Sequence, residues 1–146
     1  MNYFIDTNIL IDFFNKKPEA ITQLAQLIEQ EHDLHLNELV YLESLRTIHV
    51  NKTKIFRESK EFLLTYFTFV PIDRAIYDKA ISFSRFCNTE KHIYLKGRCE
   101  LIDFIHFITA KYYQLEMLSN DNDMQTLANI WQEFITTEYY YPWIEK

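Results

Sequence analysis

A parallel β-sheet covered on both faces by helices is the fold class this sequence predicts, and three observations predict it. Four short apolar runs, at Asn2–Ile5, Leu34–Leu36, Phe67–Val70 and Leu115–Leu118, alternate with longer segments whose apolar residues recur every three to four positions. The helices between the runs supply the crossovers that parallel strands need. At 146 residues, 48% hydrophobic and 16% aromatic, the chain can bury one proper core, so a single domain over residues 1–146 is expected.

Taken in order, Asn2–Ile5 puts three apolar residues directly ahead of Asp6 and reads as a buried first strand. Thr7 or Asn8 can cap a helix running through Phe14. Pro18 suits the first turn of a second helix, in which Ile21, Leu24, Leu27 and Ile28 repeat at helical spacing. Leu34–Leu36 is the second strand, and Asn37 caps a helix carrying Leu39, Leu42 and Leu45. Thr53 to Tyr66 reads as a further helix, with Ile55, Ser59, Phe62, Leu63 and Tyr66 to one side. Phe67–Val70 is the third strand, ended by Pro71, after which Asp73 caps a helix containing Ile76, Ala80 and Phe83. Residues 88–98 are polar and irregular. Leu101, Ile105, Ile108 and Tyr112 form the stripe of a strong helix, and Leu115–Leu118 is a fourth strand leading into the polar turn Ser119-Asn120-Asp121-Asn122-Asp123. A short helix to Trp131 and a last edge strand over Phe134–Thr137 complete the expected elements.

Composition removes several classes of function. Gly97 is the only glycine, so a phosphate-cradling loop of the Walker or dinucleotide type, which needs several, is excluded. No apolar run approaches the ~20 residues of a membrane span. The opening Met1-Asn2-Tyr3-Phe4-Ile5-Asp6 lacks a basic region and meets an acid at once, unlike a secretory signal, and a cytoplasmic protein is expected. Cys87 and Cys99 are too few for a disulfide scaffold and read as ordinary thiols. With His92 and His106 they form a string whose spacing fits no standard zinc finger. The net charge of −6 by itself opposes nucleic-acid binding. However, Arg46, Lys52, Lys54, Arg57 and Lys60 crowd one stretch against the single Glu58, which reads equally as a phosphate-backbone face and as a solvated helix surface.

In parallel sheets the functional site lies beyond the carboxyl ends of the strands. That rule selects Asp6 after the first strand and Asp121 after the fourth. Glu43 sits between Leu42 and Leu45 on the helix after strand two, and Asp103 sits in Leu101-Ile102-Asp103-Phe104-Ile105 near a helix start. Asp123 shares the turn with Asp121. Alone, each has an ordinary reading: a helix cap, an exposed helical acid, a turn former. Together they fall where the sheet brings several carboxylates to one edge. Clustered carboxylates repel unless a cation neutralises them, and oxygen-only ligation suits hard ions such as Mg²⁺ or Mn²⁺. Such ions activate water and stabilise charge on a phosphoryl group.

These residues resemble a known family. Phe4-Ile5-Asp6-Thr7-Asn8-Ile9-Leu10-Ile11 is similar to the opening strand and helix of PIN-domain ribonucleases, above all the VapC-type toxins of bacterial toxin–antitoxin pairs. Leu36-Asn37-Glu38-Leu39-Val40-Tyr41-Leu42-Glu43 resembles the segment carrying that family's second acid, with Glu43 in its place and Glu38 as a rival; Asn37 stands where Ser or Thr is common. Leu101 to Ile105, followed by Thr109-Ala110, resembles the third-acid helix. Met117 to Met124 resembles the family's Thr-x-Asp/Asn-x-Asp-Phe turn, with Ser119 in the Thr position and Met124 in place of Phe. The resemblance implies an α/β/α sandwich around a short-stranded parallel sheet and Mg²⁺- or Mn²⁺-dependent RNA cleavage. It implies Asp6, Glu43, Asp103 and Asp121 as metal-site acids, Asp123 as a further carboxylate, and Thr7, Asn8 and Ser119 in support. It also implies an RNA substrate, a homodimer and a cognate antitoxin.

Two other readings are carried. A phosphatase of the haloacid-dehalogenase kind also has Asp after its first strand, but it wants a second Asp two residues on, where this chain has Asn8. A PIN-like scaffold that binds RNA or protein without cutting is the non-enzymatic alternative. The tail Tyr139-Tyr140-Tyr141-Pro142-Trp143 reads either as a partner-docking segment or as packing of the chain's own C-terminus.

Overall fold

Residues 1–88 and 101–140 are described in the computed structural model, and they hold four strands and seven α-helices in an α/β fold. They form two compact units, one of Met1–Pro71 with Tyr113–Asn120, the other of Ile72–Tyr112 with the chain from Asp121.

The first unit contains the whole sheet. Strands β1 (Asn2–Ile5), β2 (Asp33–Leu36), β3 (Phe67–Phe69) and β4 (Glu116–Leu118) lie in the order β3-β2-β1-β4, every pair parallel. Phe4 pairs with His35 on one side and with Met117 on the other. Phe4 and Ile5 point to opposite faces, and both are fully buried, as expected of a central parallel strand. Because β2 and β4 flank β1 on opposite sides, the strand order reverses beside β1. The crevice at the carboxyl ends of β1 and β4 is the topological switch point, where open α/β sheets bind ligands.

Four helices belong to this unit: α1 (Thr7–Phe14), α2 (Pro18–Glu29), α3 (Glu38–Leu45) and α4 (Thr53–Tyr66). The cap of α1 is Asp6, whose carboxylate accepts from the Thr7 N–H, rather than Thr7 or Asn8. Asn37 caps α3 as expected, its side-chain oxygen accepting from Val40 N–H at 2.8 Å. Leu10, Leu24, Leu36 and Leu63 are fully buried, whereas Leu42, expected on the apolar side of α3, is 59% exposed.

α1 and α2 close in the same way. Lys16 and Glu31 take left-handed backbone angles, φ 59° and 58°. Their N–H groups donate to Phe13 and Ile28, and those of Lys17 and His32 donate to Asp12 and Leu27. This is the paired-bond helix ending usually built on glycine, here without one.

The second unit packs α5 (Arg74–Cys87), α6 (Leu101–Tyr112) and α7 (Asn122–Phe134) around aromatic rings. Phe83 is at its centre, with ring centroids 5.4 Å from Phe107, 5.3 Å from Trp131 and 5.2 Å from Phe134. The expected strand at Phe134–Thr137 is absent. α7 continues to Phe134, and the hydroxyls of Thr136 and Thr137 donate to the carbonyls of Glu133 and Phe134, closing the helix. Tyr140, in a 3-10 turn over Glu138–Tyr140, lies edge-on to Trp131, so this part of the tail packs on its own unit. Tyr141, Pro142 and Trp143 are outside the described residues. No helix among the described residues is long and apolar enough to cross a membrane.

Candidate functional site

The acids singled out in the sequence fall into two groups, one in each unit. In the first unit, Asp6 lies between β1 and α1, and the residue is 5% exposed. A carboxylate buried to that degree needs strong donors, and it has them. Oδ1 accepts from Thr7 N–H at 2.8 Å, and Oδ2 accepts from the Ser119 hydroxyl at 2.7 Å. The Asp6 N–H donates to Leu118 O, tying the end of β1 to the end of β4. Ser119 is thereby delivered to Asp6 by strand pairing across the switch point.

Thr7 extends the network. Its hydroxyl donates to Glu43 Oε1 at 2.8 Å, so Glu43, Thr7, Asp6 and Ser119 form one hydrogen-bonded chain. Asn8 accepts from Asn120 N–H at 3.5 Å, a looser link between the same two loops. Glu38, the rival to Glu43, is exposed in the first turn of α3. Tyr41 on that helix is raised above the usual phenol pKa, first by burial and then by the Glu38 charge.

In the second unit, Asp103 lies in the first turn of α6, Asp121 caps α7, and Asp123 lies in the first turn of α7. All three are half-buried, and each offers a carboxylate oxygen within 4.8 Å of the others. Asp121 Oδ1 accepts from Asp123 N–H at 2.9 Å, which fixes the two acids relative to each other. Their position in the first turns of α6 and α7 places partial positive charge beside them, which offsets a fraction of the mutual repulsion. The donor set is all oxygen and all anionic, and it fits a hard divalent cation.

Of the acids singled out in the sequence, Asp6 and Glu43 are joined through Thr7 within the first unit, and Asp103, Asp121 and Asp123 cluster within the second. The Thr7–Glu43 bond had no signal in the sequence, since nothing local links residues thirty-six positions apart. Of the imagined zinc string, Cys87 and His106 are buried, and His92 and Cys99 lie outside the described residues.

The PIN-domain family model matches residues 3–130. Among solved structures, the chain is similar to VapBC2 from Rickettsia felis bound to a DNA fragment from their promoter. The TM-score is 0.67 at 14% identity, covering 88% of this chain and 95% of that one. It is also similar to a toxin–antitoxin complex from Klebsiella pneumoniae, with a TM-score of 0.58 at 20% identity, covering 82% and 86%. At such identities these two likenesses are likenesses of fold. No curated protein matches the chain.

Proposed function

The chain belongs to the PIN-domain family, and from that premise we propose that it is a single PIN-like domain acting as a metal-dependent endoribonuclease, the cytoplasmic toxin of a toxin–antitoxin pair. Asp6, Glu43, Asp103 and Asp121 are its catalytic, metal-site acids, Asp123 adds a carboxylate, and Thr7, Asn8 and Ser119 support them. Mg²⁺ or Mn²⁺ is the cofactor, RNA the substrate, and a cognate antitoxin and a second copy of the chain are the partners. The antitoxin assignment draws on the two structural neighbours, VapBC2 of Rickettsia felis and the toxin–antitoxin complex of Klebsiella pneumoniae.

The observation that carries the reading is the cluster of Asp103, Asp121 and Asp123, with carboxylate oxygens within 4.8 Å of one another. Three anions so close repel one another, and a divalent ion bound among them would offset that repulsion. When bound, such an ion lowers the pKa of water and neutralises charge developing on a phosphoryl group. The chain's own residues do the positioning. The Ser119 hydroxyl and Thr7 N–H hold the Asp6 carboxylate in one orientation, and the Thr7 hydroxyl holds Glu43. In sequence, Ser119 precedes Asp121 by two residues, so one turn supplies both a partner for Asp6 and a member of the acid cluster.

The test is cleavage of pooled RNA by purified, partner-free protein, with and without Mg²⁺ or Mn²⁺, beside Asp6→Asn. Metal-dependent cutting that the variant lacks is expected. Partner-free protein that neither cuts RNA nor binds Mn²⁺ would move the reading to the non-catalytic scaffold.

A further inference from the structure

The stretch from Arg46 to Lys60 holds five of the chain's fifteen cations and one of its 21 acids, so the rest carries ten cations against twenty acids. Arg46, Lys52, Lys54, Arg57 and Lys60 are all exposed. None takes part in an ion pair among the described residues, although Glu58 and Glu61 lie one turn from Lys54 and Arg57 on α4. Their charges therefore hold no structural contact together. Lys54, Arg57 and Lys60 follow one another at three-residue spacing, along one ridge of the helix about 9 Å long. Phe56, beside them, leaves 40% of its surface in water. Arg46 follows Glu43 by three residues at the end of α3, which makes the two neighbours on the helix surface. α3 and α4 pack against each other.

Resting on the ribonuclease reading, we propose that the Lys54–Arg57–Lys60 ridge of α4, with Arg46, is the surface on which the RNA backbone docks, leading the strand toward Glu43. Charge complementarity selects this face. In a chain otherwise strongly negative, a polyanion is repelled except where cations gather, and here they gather without an ion-pair partner among the described residues, one helix away from an acid of the candidate site. A partly exposed Phe among cations is the combination that holds single strands, with cations on the phosphates and a ring under a base.

The experiment uses the full chain carrying Asp6→Asn, so that RNA binds without being cut. Binding of a fluorescent single-stranded RNA of about twenty nucleotides is followed by anisotropy over a range of salt. Lys54→Gln/Arg57→Gln/Lys60→Gln is expected to weaken binding about tenfold and to lower the salt slope by about 2, since each phosphate contact to a single strand contributes about 0.7. If the triple variant unfolds, each single substitution is expected to lower the slope by about 0.7. Unchanged affinity and slope overturn the proposal. So does a parent protein that ignores RNA but binds vesicles of anionic lipid, or an acidic protein, through the same residues. Cutting by the unaltered protein with ridge-independent binding would remove the docking surface and keep the ribonuclease. Ridge-dependent binding without cutting would do the reverse.

Discussion

Thr7 Oγ1 donates a 2.8 Å hydrogen bond to Glu43 Oε1 across thirty-six residues of chain, while the backbone N–H of the same threonine donates to Asp6. One residue therefore orients two acids. Thr7→Val keeps the shape and removes only the hydroxyl. It is expected to cost about 1 kcal/mol of stability and about tenfold in RNA cleavage, mostly in kcat. Thr7→Ser should restore most of both. Full cleavage by Thr7→Val would detach the residue from the chemistry.

Asp6→Asn removes charge while preserving size, and Asn is as good a helix cap as Asp. Cleavage should fall about 100-fold or more. The melting temperature should drop by no more than a few degrees, reflecting the Ser119 hydroxyl bond that an amide nitrogen cannot accept. A collapse of the fold would mean that Asp6 is principally a structural residue.

Asp121→Asn separates metal binding from folding. In chelator, the variant should melt slightly above the unaltered protein, by about 2–4 °C, because one of three crowded carboxylates has lost its charge. Millimolar Mn²⁺ should stabilise the unaltered protein by linkage and the variant much less. Equal Mn²⁺ shifts in the two proteins would exclude Asp121 as a ligand.

Leu24→Ala and Leu42→Ala form a matched pair. Leu24 is fully buried, and its truncation should cost about 2–5 kcal/mol, whereas Leu42 is 59% exposed and should cost within about 0.5. Chemical denaturation of both variants checks the contrast.

Asp6 stands out in the sequence because a run of apolar residues ends on it, and the cap it gives α1 is the ordinary role of an acid placed there. The strands and the caps at Asn37 and Asp73 were legible for the same local reason. Phe134–Thr137 was not. Its β-branched residues favour a strand, but the hydroxyls of Thr136 and Thr137 found helix carbonyls instead. The exposure of Leu42 and Leu101 was also hidden, because periodicity marks one side of a helix without saying how much of it a neighbour covers. The grouping of Asp103 with Asp121 and Asp123 depends on how α6 packs against α7, which single-residue context does not carry.

The helix endings at Lys16 and Glu31 have a practical side. A left-handed residue with a Cβ costs about 1–2 kcal/mol that glycine would avoid, while glycine returns part of this as extra freedom in the unfolded chain. Lys16→Gly and Glu31→Gly should each leave a net gain of about 0.5–1 kcal/mol. The protein thus holds heat tolerance in reserve at two exposed bends, available to anyone needing a hardier preparation without touching a single acid.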